Sequence, residues 1–374
     1  MTAGQAPSRR ARTREPDAAA LAVRAAAAAA ADWPSLREPA LRCVACPELV
    51  ASRRSVVFGQ FPPGADIALL GEAPGAEEDA TGEPFVGRSG QLLDRLLAEA
   101  GLPREQVAVV NVLKCRPPGN RRPQPVEAVR CRGWLDRQLG LIDPLVVVAL
   151  GGTATEAMLG RGAKVTRVRG RDRIAGGRLV IASYHPSAAL RFGPRGEPLA
   201  MLAADLAHVA ASARRLRGAG VRLTAAGPED AADVLAVTAL AYGTLPPLDP
   251  PTGALAEGLD TVAADLAHGG VVARAGGRVV GALRFRPGDE PSARWIRRIA
   301  VHPDARGRGV GGVLVRWAEA IAATDGCTEM RIGVRAQLPA NRAWYERGGY
   351  RWVADHAHGT GDRPTWSELR KELG

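Results

Sequence analysis

The sequence predicts an α/β protein of two unlike domains, the first built around a mainly parallel sheet with helices on both faces. Three observations predict this. Short apolar runs alternate with helical stretches and Gly-rich turns from residue 66 onward. The 374 residues are too many for one ordinary domain and suit two. The pattern also breaks around residues 210–220, and a second αβ pattern follows.

Composition is that of a cytoplasmic globular protein. Hydrophobic residues make up 46% and charged residues 24% of the chain, unlike a disordered or membrane protein. The sequence contains no run of about eighteen uncharged apolar residues, and no export signal opens it. We therefore expect no membrane partner and a reducing compartment, where spaced cysteines indicate metal ligands before disulfides.

The first half is assigned from its apolar pattern. Residues 1–32 are rich in Ala and Arg and have little to bury, so we expect a flexible tail with at most a solitary helix over 18–31. The first domain is then assigned to 33–209. Its strands are predicted at 67–70, 107–112, 145–150 and 179–182, with a helix over 89–100. The loops after the strands should hold the site, because the carboxyl ends of parallel strands share one edge of the sheet.

The second half follows a linker placed at 210–220, where apolar periodicity is lost and small residues follow. The second domain is assigned to 221–374. An edge strand is predicted at 221–223, a helix at 228–242, a hairpin of 270–275 and 279–285, a strand at 295–303 and a helix at 313–323.

Charge is unevenly distributed between the halves. Residues 1–216 carry 30 basic and 21 acidic side chains, whereas residues 217–374 carry 20 and 18. The first half is therefore expected to attract a polyanion. The alternative is a solvated face in an arginine-rich protein.

Four cysteines have the spacing of metal ligands. Cys43 and Cys46 form a C-x-x-C pair, and Cys115 and Cys131 follow with fifteen residues between them. Thiolates suit zinc and iron-sulfur clusters, so this set can clamp two distant segments onto one centre. The alternative is four small buried hydrophobes. Cys327 is expected to pack in the second domain and not to be a fifth ligand.

Polar motifs follow each strand of the first domain. An amide, an imidazole, carboxylates and an aromatic ring would meet at one rim, which suits a small planar heterocycle. The motifs are GEAPGAEED at 71–79, GEPFVGRSGQLL at 82–93, NVLKCRPPGNRRP at 111–123 and YHPSAALR at 184–191. In this order and with the four cysteines, they resemble the family 4 uracil-DNA glycosylases, the iron-sulfur type, over roughly residues 41–208.

The resemblance implies an α/β/α sandwich, a 4Fe-4S cluster on the four cysteines, and extrusion and excision of uracil from DNA. Zinc on the same thiolates is the competing assignment. A related branch that binds uracil-DNA covalently carries an insertion ending in Arg-Arg-Ile-His near the asparagine loop. This chain reads Pro-Pro-Gly-Asn-Arg-Arg-Pro there, so hydrolytic turnover is expected.

The implied pocket assigns a role to each motif residue. Phe85 stacks on the base, and the Asn111 amide accepts from uracil N3–H and donates to O4, which rejects cytosine. His185 donates to O2 and stabilises the departing anion. Glu72 and its neighbour Ala73 line the pocket, and the carboxylate of Glu72 or of Glu78 orients the attacking water.

Contacts with the DNA are implied at the pocket's outer edge. The loop from Ser187 to Arg191 would press on the backbone, with Leu190 or Arg191 entering the space vacated by the flipped base. Arg88, in the second motif, is assigned to the same surface. The expected partner of the first domain is therefore uracil-containing DNA.

The second domain has a glycine-rich turn at a helix start. The run DARGRGVGG at 304–312 exposes backbone N–H groups that would cradle a pyrophosphate. Together with NRAWYERGGY at 341–350, it resembles the GNAT superfamily of N-acetyltransferases over about residues 221–370. The resemblance implies a mixed α/β GNAT fold and acetyl-CoA as cofactor.

The cofactor contacts carried over by this resemblance are Ile299, Val301, Arg306, Gly307, Gly309, Gly311, Gly312 and Asn341. Tyr345 would protonate the departing CoA thiolate. Glu329 and His302 are weak candidates for the base. The acetyl acceptor, a protein or a small amine, cannot be read from the sequence.

The sequence thus predicts a uracil-DNA glycosylase of base excision repair fused to an N-acetyltransferase, cytoplasmic and associated with the nucleoid when bound to DNA. Two alternatives remain open. The first domain binds damaged DNA without turnover, or the clustered cysteines sense oxidation on behalf of an acetyltransferase.

Overall fold

A computed structural model describes residues 16–288, 290–358 and 363–373. It forms two compact units. The first contains the chain up to Arg95 together with Arg104–Asp143, and the second contains Leu96–Pro103 and the chain from Pro144 onward. The predicted tail over residues 1–15 lies outside the described residues.

The first unit consists mainly of helices around two buried strands. Its elements are α1 (Ala18–Ala28), α2 (Trp33–Leu41), α3 (Pro47–Ser52), β1 (Ile67–Gly71), α4 (Ala76–Thr81), α5 (Arg88–Glu99, which continues past Arg95), β2 (Val107–Asn111) and α6 (Pro125–Ile142). Strands β1 and β2 pair in parallel, with Gly71 opposite Asn111. The two strands therefore end side by side, as the sequence predicts.

Helix α1 packs against α6, whereas the sequence predicted a tail that takes no part in a core. Its alanines face α6, where Val23 and Ala27 belong to a buried cluster with Trp134. The backbone of α1 approaches so closely that a Cβ on Gly133 of α6 would lie 2.9 Å from Arg24 Cα. Small side chains permit this close helix contact, so the Ala-rich composition that suggested disorder here serves packing.

The second unit contains the remaining elements. They are β3 (Val146–Leu150), α7 (Gly152–Leu159), α8 (Val165–Val168), β4 (Asp172–Ala175), β5 (Arg178–Ser183), α9 (Pro186–Phe192), α10 (Glu197–Ala219), β6 (Arg222–Ala226), α11 (Ala231–Tyr242), α12 (Leu259–Leu266), β7 (Gly270–Ala275), β8 (Arg278–Pro287), β9 (Ala293–Val301), α13 (Val310–Thr324), β10 (Glu329–Arg335), α14 (Pro339–Arg347), β11 (Arg351–His356) and β12 (Trp366–Glu372).

Two sheets organise these strands. In this unit β3, β5 and β4 lie side by side in that order, and a seven-stranded sheet has the order β11-β12-β10-β9-β8-β7-β6. Strands β3 and β5 are parallel, and β4 pairs antiparallel with β5. The predicted α/β class and the mainly parallel first sheet are confirmed. Strand β4 was missed, since its four residues are all half-buried and give no apolar run.

The segment predicted as a linker, residues 210–220, is helical for most of its length. Helix α10 continues through it to Ala219 and buries Val209, Ala213 and Leu216 on one face. These residues are three to four apart, which is helical periodicity that the arginines between them obscured. The assignment of domains to 33–209 and 221–374 stays a prediction.

Candidate functional site

The ends of β1 and β2 bring together two of the predicted pocket residues. A Cβ on Gly71 would lie 2.2 Å from Asn111 Oδ1 and 2.7 Å from Phe85 Cε2 and Cζ. The Asn111 amide and the Phe85 ring therefore converge over a glycine that has no side chain of its own. Asn111 is 2% and Phe85 7% exposed, so both are nearly shielded from water.

Phe85 is held in an unusual backbone conformation. Its φ is 55°, a left-handed value that residues other than glycine rarely adopt. Its carbonyl oxygen lies 1.7 Å from where a Cβ on Gly90 would stand, so the loop and the start of α5 are in close contact. Local strain of this kind persists where surrounding contacts fix the backbone.

The carboxylate of Glu78 supplies those contacts. Oε1 accepts from the backbone N–H groups of Val86 and Gly87, each at 3.0 Å, and Oε2 accepts from Gly75 N–H at 3.0 Å. Oε1 thus holds the backbone that follows Phe85, and Oε2 caps the start of α4. Both oxygens of Glu78 therefore already accept backbone hydrogen bonds, and its predicted water-orienting role stays a prediction.

The residues after β1 take different places. Glu72 is half-buried, and its carbonyl accepts from Leu113 N–H at 3.0 Å. Ala73 packs against the buried cluster of Leu113 and Cys115. Ala73 thus links the predicted pocket segment to the cysteines. Arg88 is exposed at the start of α5.

His185 follows β5 and caps α9. Its Nδ1 accepts from Ser187 N–H at 3.2 Å and lies 2.8 Å from Ser187 Oγ. An imidazole whose Nδ1 accepts from a backbone amide carries its proton on Nε2 when neutral. Gly151, with φ 87°, lets the ring approach, since its Cβ would lie 3.1 Å from His185 Cβ. The neutral tautomer assigned here is a donor at Nε2, as anion stabilisation requires.

A buried network fixes the end of β5. Asp205 is 3% exposed and accepts from Ser183 Oγ at 2.5 Å and from Arg169 at 2.7 Å. The Arg169 guanidinium lies 5.7 Å from the centre of the Tyr184 ring. Burial raises the pKa of Asp205, and Ser183 and Arg169 oppose that rise. This network was not predictable from the sequence, because Asp205 lies in the middle of α10.

Helix α9 carries the residues predicted to touch DNA. Ser187, Leu190 and Arg191 are on it, and Leu190 is 36% exposed. Ser187 bonds to His185, so its first role in the structure is to orient that ring. Phe192, which the sequence reading missed, is 66% exposed on the same helix.

The four predicted ligands line one small cavity in the first unit. Cys43 follows α2, Cys46 precedes α3, Cys115 follows β2 and Cys131 lies in α6. All four are free thiols. In the part of the chain that the structure describes, no three Cys, His, Asp or Glu side chains are arranged to hold a metal ion as they stand.

Positive groups surround this cavity. Arg53 donates to Cys115 Sγ at 2.9 Å, and Arg130 also lines the wall. Lys114 is 2% exposed and its Nζ donates to the Asn111 carbonyl at 2.5 Å. Burial lowers the pKa of Lys114 to about 8, and Cys131 and Cys115 oppose that shift.

The donor set fits an anionic metal-thiolate group. Burial raises the pKa of Cys46 to about 11 and that of Cys131 to about 12, so the thiols keep their protons near neutral pH unless a cation displaces them. A buried ammonium and a guanidinium are stabilised by negative thiolates and are costly to bury beside four neutral thiols. Lys114 also connects this cavity to Asn111, a link that the motif Lys114-Cys115 hints at only by adjacency.

The second predicted site lies where β9 leads into α13. Gly307 and Gly309 have φ values of 77° and 84°, and the first intrahelical bond runs from Val313 N–H to Gly309 O. The first N–H groups of α13 therefore lack intrahelical partners, which is the arrangement that binds a phosphate. Gly311 and Gly312 accommodate the Trp344 indole, 3.9 and 4.0 Å from where their Cβ atoms would stand.

Arg306, predicted to contact the cofactor, forms hydrogen bonds within the protein. Its guanidinium donates to Ala241 O at 2.9 Å and to Thr244 Oγ1 at 2.8 Å. It thus anchors the glycine turn to the end of α11 instead of facing the expected cofactor.

The other predicted cofactor residues lie on β9 and α14. Ile299 and Val301 are half-buried beside a bulge at Arg298, whose φ is 52°. Asn341 is exposed in α14. Tyr345 is 5% exposed, and burial raises the pKa of its phenol well above the usual value.

The two candidate bases are already hydrogen-bonded. Glu329 pairs with Arg331 and Arg370. His302 Nδ1 accepts from Asp304 N–H at 3.2 Å. Neither arrangement singles out a base for an acceptor amine.

The first part of the chain combines parallel strands, an amide and a phenyl ring at the strand ends, and four clustered cysteines. This combination is that of the uracil-DNA glycosylase superfamily. The family model of that name, Uracil DNA glycosylase superfamily, matches residues 58–207, and the Acetyltransferase (GNAT) family model matches residues 243–350. No described helix is long and apolar enough to cross a membrane.

Relatives narrow the class to one family. The type-4 uracil-DNA glycosylase of Thermotoga maritima is 47% identical over 152 residues, which cover 40% of this chain and 79% of that protein. The type-4 enzyme of Sulfurisphaera tokodaii is 39% identical over 164 residues, covering 41% and 74%. The chain belongs to the type-4 uracil-DNA glycosylase family and carries a GNAT acetyltransferase domain in its C-terminal part.

A solved N-acetyltransferase of Thermoplasma acidophilum, in complex with coenzyme A, aligns with 41% of this chain and 98% of its own. Its identity is 15% and its TM-score 0.35. At this score the likeness supports no further inference.

Proposed function

We propose that this protein extrudes uracil from DNA and hydrolyses its glycosidic bond, as a cytoplasmic enzyme of base excision repair. The observation that carries the proposal is the convergence of the Asn111 amide and the Phe85 ring over Gly71. Recognition of a planar base requires an aromatic ring that stacks on its face and a polar group that hydrogen-bonds to its edge. Gly71 has no side chain to occupy the space beside these two groups. The identity to type-4 enzymes supports the same substrate.

Base selection rests on the amide of Asn111. Its oxygen accepts from uracil N3–H and its nitrogen donates to O4. Cytosine presents an acceptor at N3 and a donor at N4, so it would leave both amide groups unpaired in a nearly dry site. Asn111 is 2% exposed, and this burial makes the mismatch costly.

Bond cleavage leaves negative charge on the base and positive charge on the sugar. We assign His185 as the donor to uracil O2, through the Nε2 proton that the bond to Ser187 favours. A preorganised donor of this kind contributes about 3 to 4 kcal/mol to catalysis. Between the two carboxylates we favour Glu72 for orienting the attacking water, because both Glu78 oxygens already accept backbone N–H groups.

DNA contacts are assigned to Arg88, Ser187, Leu190 and Arg191. The exposure of Leu190 on α9 supports an apolar contact with the space left by the base. Exposed Phe192 on the same helix is a second candidate for that contact.

We assign a 4Fe-4S cluster to Cys43, Cys46, Cys115 and Cys131. All four thiols line one cavity, and the family resemblance implies a 4Fe-4S cluster there. A single zinc ion, which needs every ligand about 2.3 Å from one point, is the competing occupant. The 4Fe-4S cluster supplies a covalent brace between α2, α3, β2 and α6. Iron and acid-labile sulfide with absorption near about 400 nm are expected. Colourless protein with one zinc would overturn the assignment.

The test of the glycosylase uses a DNA oligonucleotide with one uracil in large excess over protein, followed by alkali. Strand scission beyond the amount of protein indicates turnover. A stoichiometric complex without scission would overturn turnover and support a DNA-binding module. The same oligonucleotide with cytosine is the matched substrate control.

We further propose that the C-terminal part transfers acetyl groups from acetyl-CoA to an unidentified amine. The first N–H groups of α13 would bind the pyrophosphate, and the buried phenol of Tyr345 would give its proton to the CoA thiolate. Tyr345→Phe should lower acetyl-CoA turnover but keep its affinity for acetyl-CoA. Loss of both to the same extent would point to a structural role.

A further inference from the structure

The guanidinium of Arg53 contacts two of the four predicted ligand residues. Arg53 follows α3 and lies half-buried in the wall of the cysteine cavity. Its Nη1 donates to Cys115 Sγ at 2.9 Å, and its Nη2 donates to the Cys43 carbonyl at 2.8 Å. Cys115 follows β2, whereas Cys43 follows α2. One side chain therefore connects two ligand-bearing segments that are distant in the sequence.

The positive charge of Arg53 has no carboxylate partner among the residues that the structure describes. The buried acid beside this segment, Asp79, accepts instead from the backbone N–H groups of Arg54 and Ser55 at 3.0 and 3.1 Å. A half-buried cation without a counter-charge is costly. A thiol sulfur is a weak acceptor, and a thiolate is a strong one. The contact with Arg53 is therefore most favourable when Cys115 is a thiolate, the form in which it binds a metal.

Arg130 holds the same C-x-x-C loop but has a counter-charge of its own. It lies in α6 and donates to the Ala45 carbonyl at 3.0 Å. Its guanidinium also pairs with the Asp17 carboxylate at 2.7 Å. Two guanidiniums thus fix the backbone of this loop, and a carboxylate neutralises only that of Arg130. The charge of Arg53 is left for the sulfur of Cys115.

We propose that Arg53 is a positioning residue of the four-cysteine centre, which orients Cys43 and Cys115 as ligands and stabilises the negative charge of the metal-loaded site. The part that concerns reduction rests on the 4Fe-4S assignment made above. Hydrogen bonds to the sulfurs of a cluster, and positive charge beside them, favour its reduced form and raise its midpoint potential. Residues that orient metal ligands also contribute to metal affinity.

The first test measures metal loss and applies to iron and zinc alike. Full-length protein is challenged with EDTA, and the metal retained is followed by mass spectrometry. Arg53→Gln should lose its metal about tenfold faster than wild type, or more. Arg54→Gln is the matched control, because it removes the same charge from the adjacent exposed residue, and it should keep the wild-type rate. Equal rates of loss from the two variants would overturn the proposal.

The second test separates the effect on the sulfur from a merely structural role. In voltammetry of iron-loaded full-length protein, where the electrode supplies the electron, Arg53→Gln should have a lower midpoint potential than wild type and Arg54→Gln an unchanged one. Arg53→Lys keeps the charge but lacks the fork that reaches two acceptors. Its potential should lie between those of wild type and Arg53→Gln, and it should still lose metal faster than wild type.

Two results in the voltammetry would contradict this role of Arg53. One is an unshifted potential in iron-loaded Arg53→Gln, and the other is an equal shift in Arg54→Gln. If Arg53→Gln does not fold, Arg53→Lys decides, and a wild-type potential together with a wild-type rate of metal loss would overturn the proposal. Zinc in place of iron in the wild-type protein would overturn the 4Fe-4S assignment, and the rate of metal loss alone would then decide the role of Arg53.

Discussion

The glycine that ends β1 gives the sharpest test of the proposed base pocket. In a Gly71→Ala variant, the added methyl carbon would lie 2.2 Å from Asn111 Oδ1 and 2.7 Å from two carbons of the Phe85 ring. Ordinary contacts are 3.4 Å or longer. The amide must therefore retreat by about 1 Å and the ring by somewhat less, because neither neighbour is the end of a long flexible side chain.

That displacement sets the expected size of the effect. Moving a positioned group by about 1 Å costs about 10²-fold in rate. Overpacking a buried strand also costs about 1–3 kcal/mol in the free energy of unfolding. We therefore expect single-turnover excision of uracil to fall by about 10²-fold or more, at a temperature where urea titration shows the variant to be folded.

Gly140→Ala is the matched control for this experiment. No atom lies within 4 Å of the position that its Cβ would take, and the residue is in the helix α6. It should be neutral or more stable by about 0.5–1 kcal/mol and excise uracil normally. A folded Gly71→Ala protein with the wild-type excision rate would show that Asn111 and Phe85 do not enclose the base.

Four further variants test the neighbouring roles. Glu78→Gln places an amide N–H₂ group against a backbone N–H and should lower the free energy of unfolding, measured by urea titration, by about 1–3 kcal/mol. A variant that is fully stable in urea but does not excise uracil would instead show that Glu78 orients the attacking water. Asn111→Asp should weaken uracil selection, measured as the ratio of excision rates for uracil and cytosine, and an unchanged ratio would remove Asn111 from the pocket. His185→Ala should slow turnover by about 10²- to 10³-fold, and near-normal rates under saturating DNA would contradict its assignment as anion donor. Lys114→Met should lower the midpoint potential of the assigned cluster in voltammetry, since a lost buried positive charge disfavours an added electron; an unshifted potential would place the ammonium outside the cluster's field.

The strand and motif pattern alone predicted most of the first sheet. Strands β1, β2, β3 and β5 fall within one or two residues of their predicted bounds, because fully buried strands have no polar residues to break the run. The motifs also placed Asn111 at the end of such a strand and His185 just beyond another. Both are short-range properties that neighbours in the chain determine.

Contacts between distant segments were not predictable in this way. The sequence did not show that Gly71 lies under Asn111 and Phe85, or that Glu78 holds the Phe85 loop with two hydrogen bonds. A carboxylate in an acidic turn has the same local signature whether it faces water or backbone amides. Only the path of the chain between residues 75 and 87 decides which.

By itself, then, the sequence determined the α/β class, the family resemblance of both parts and the cysteine set. The tertiary structure decided that α1 belongs to the core through Gly133, that α10 runs on through the predicted linker, and that Lys114 joins the cysteine cavity to Asn111. The physical reason is the separation along the chain over which each property is determined. Periodicity and turn chemistry act over a few residues, whereas burial and hydrogen-bond partners depend on which distant segments the folded chain brings into contact.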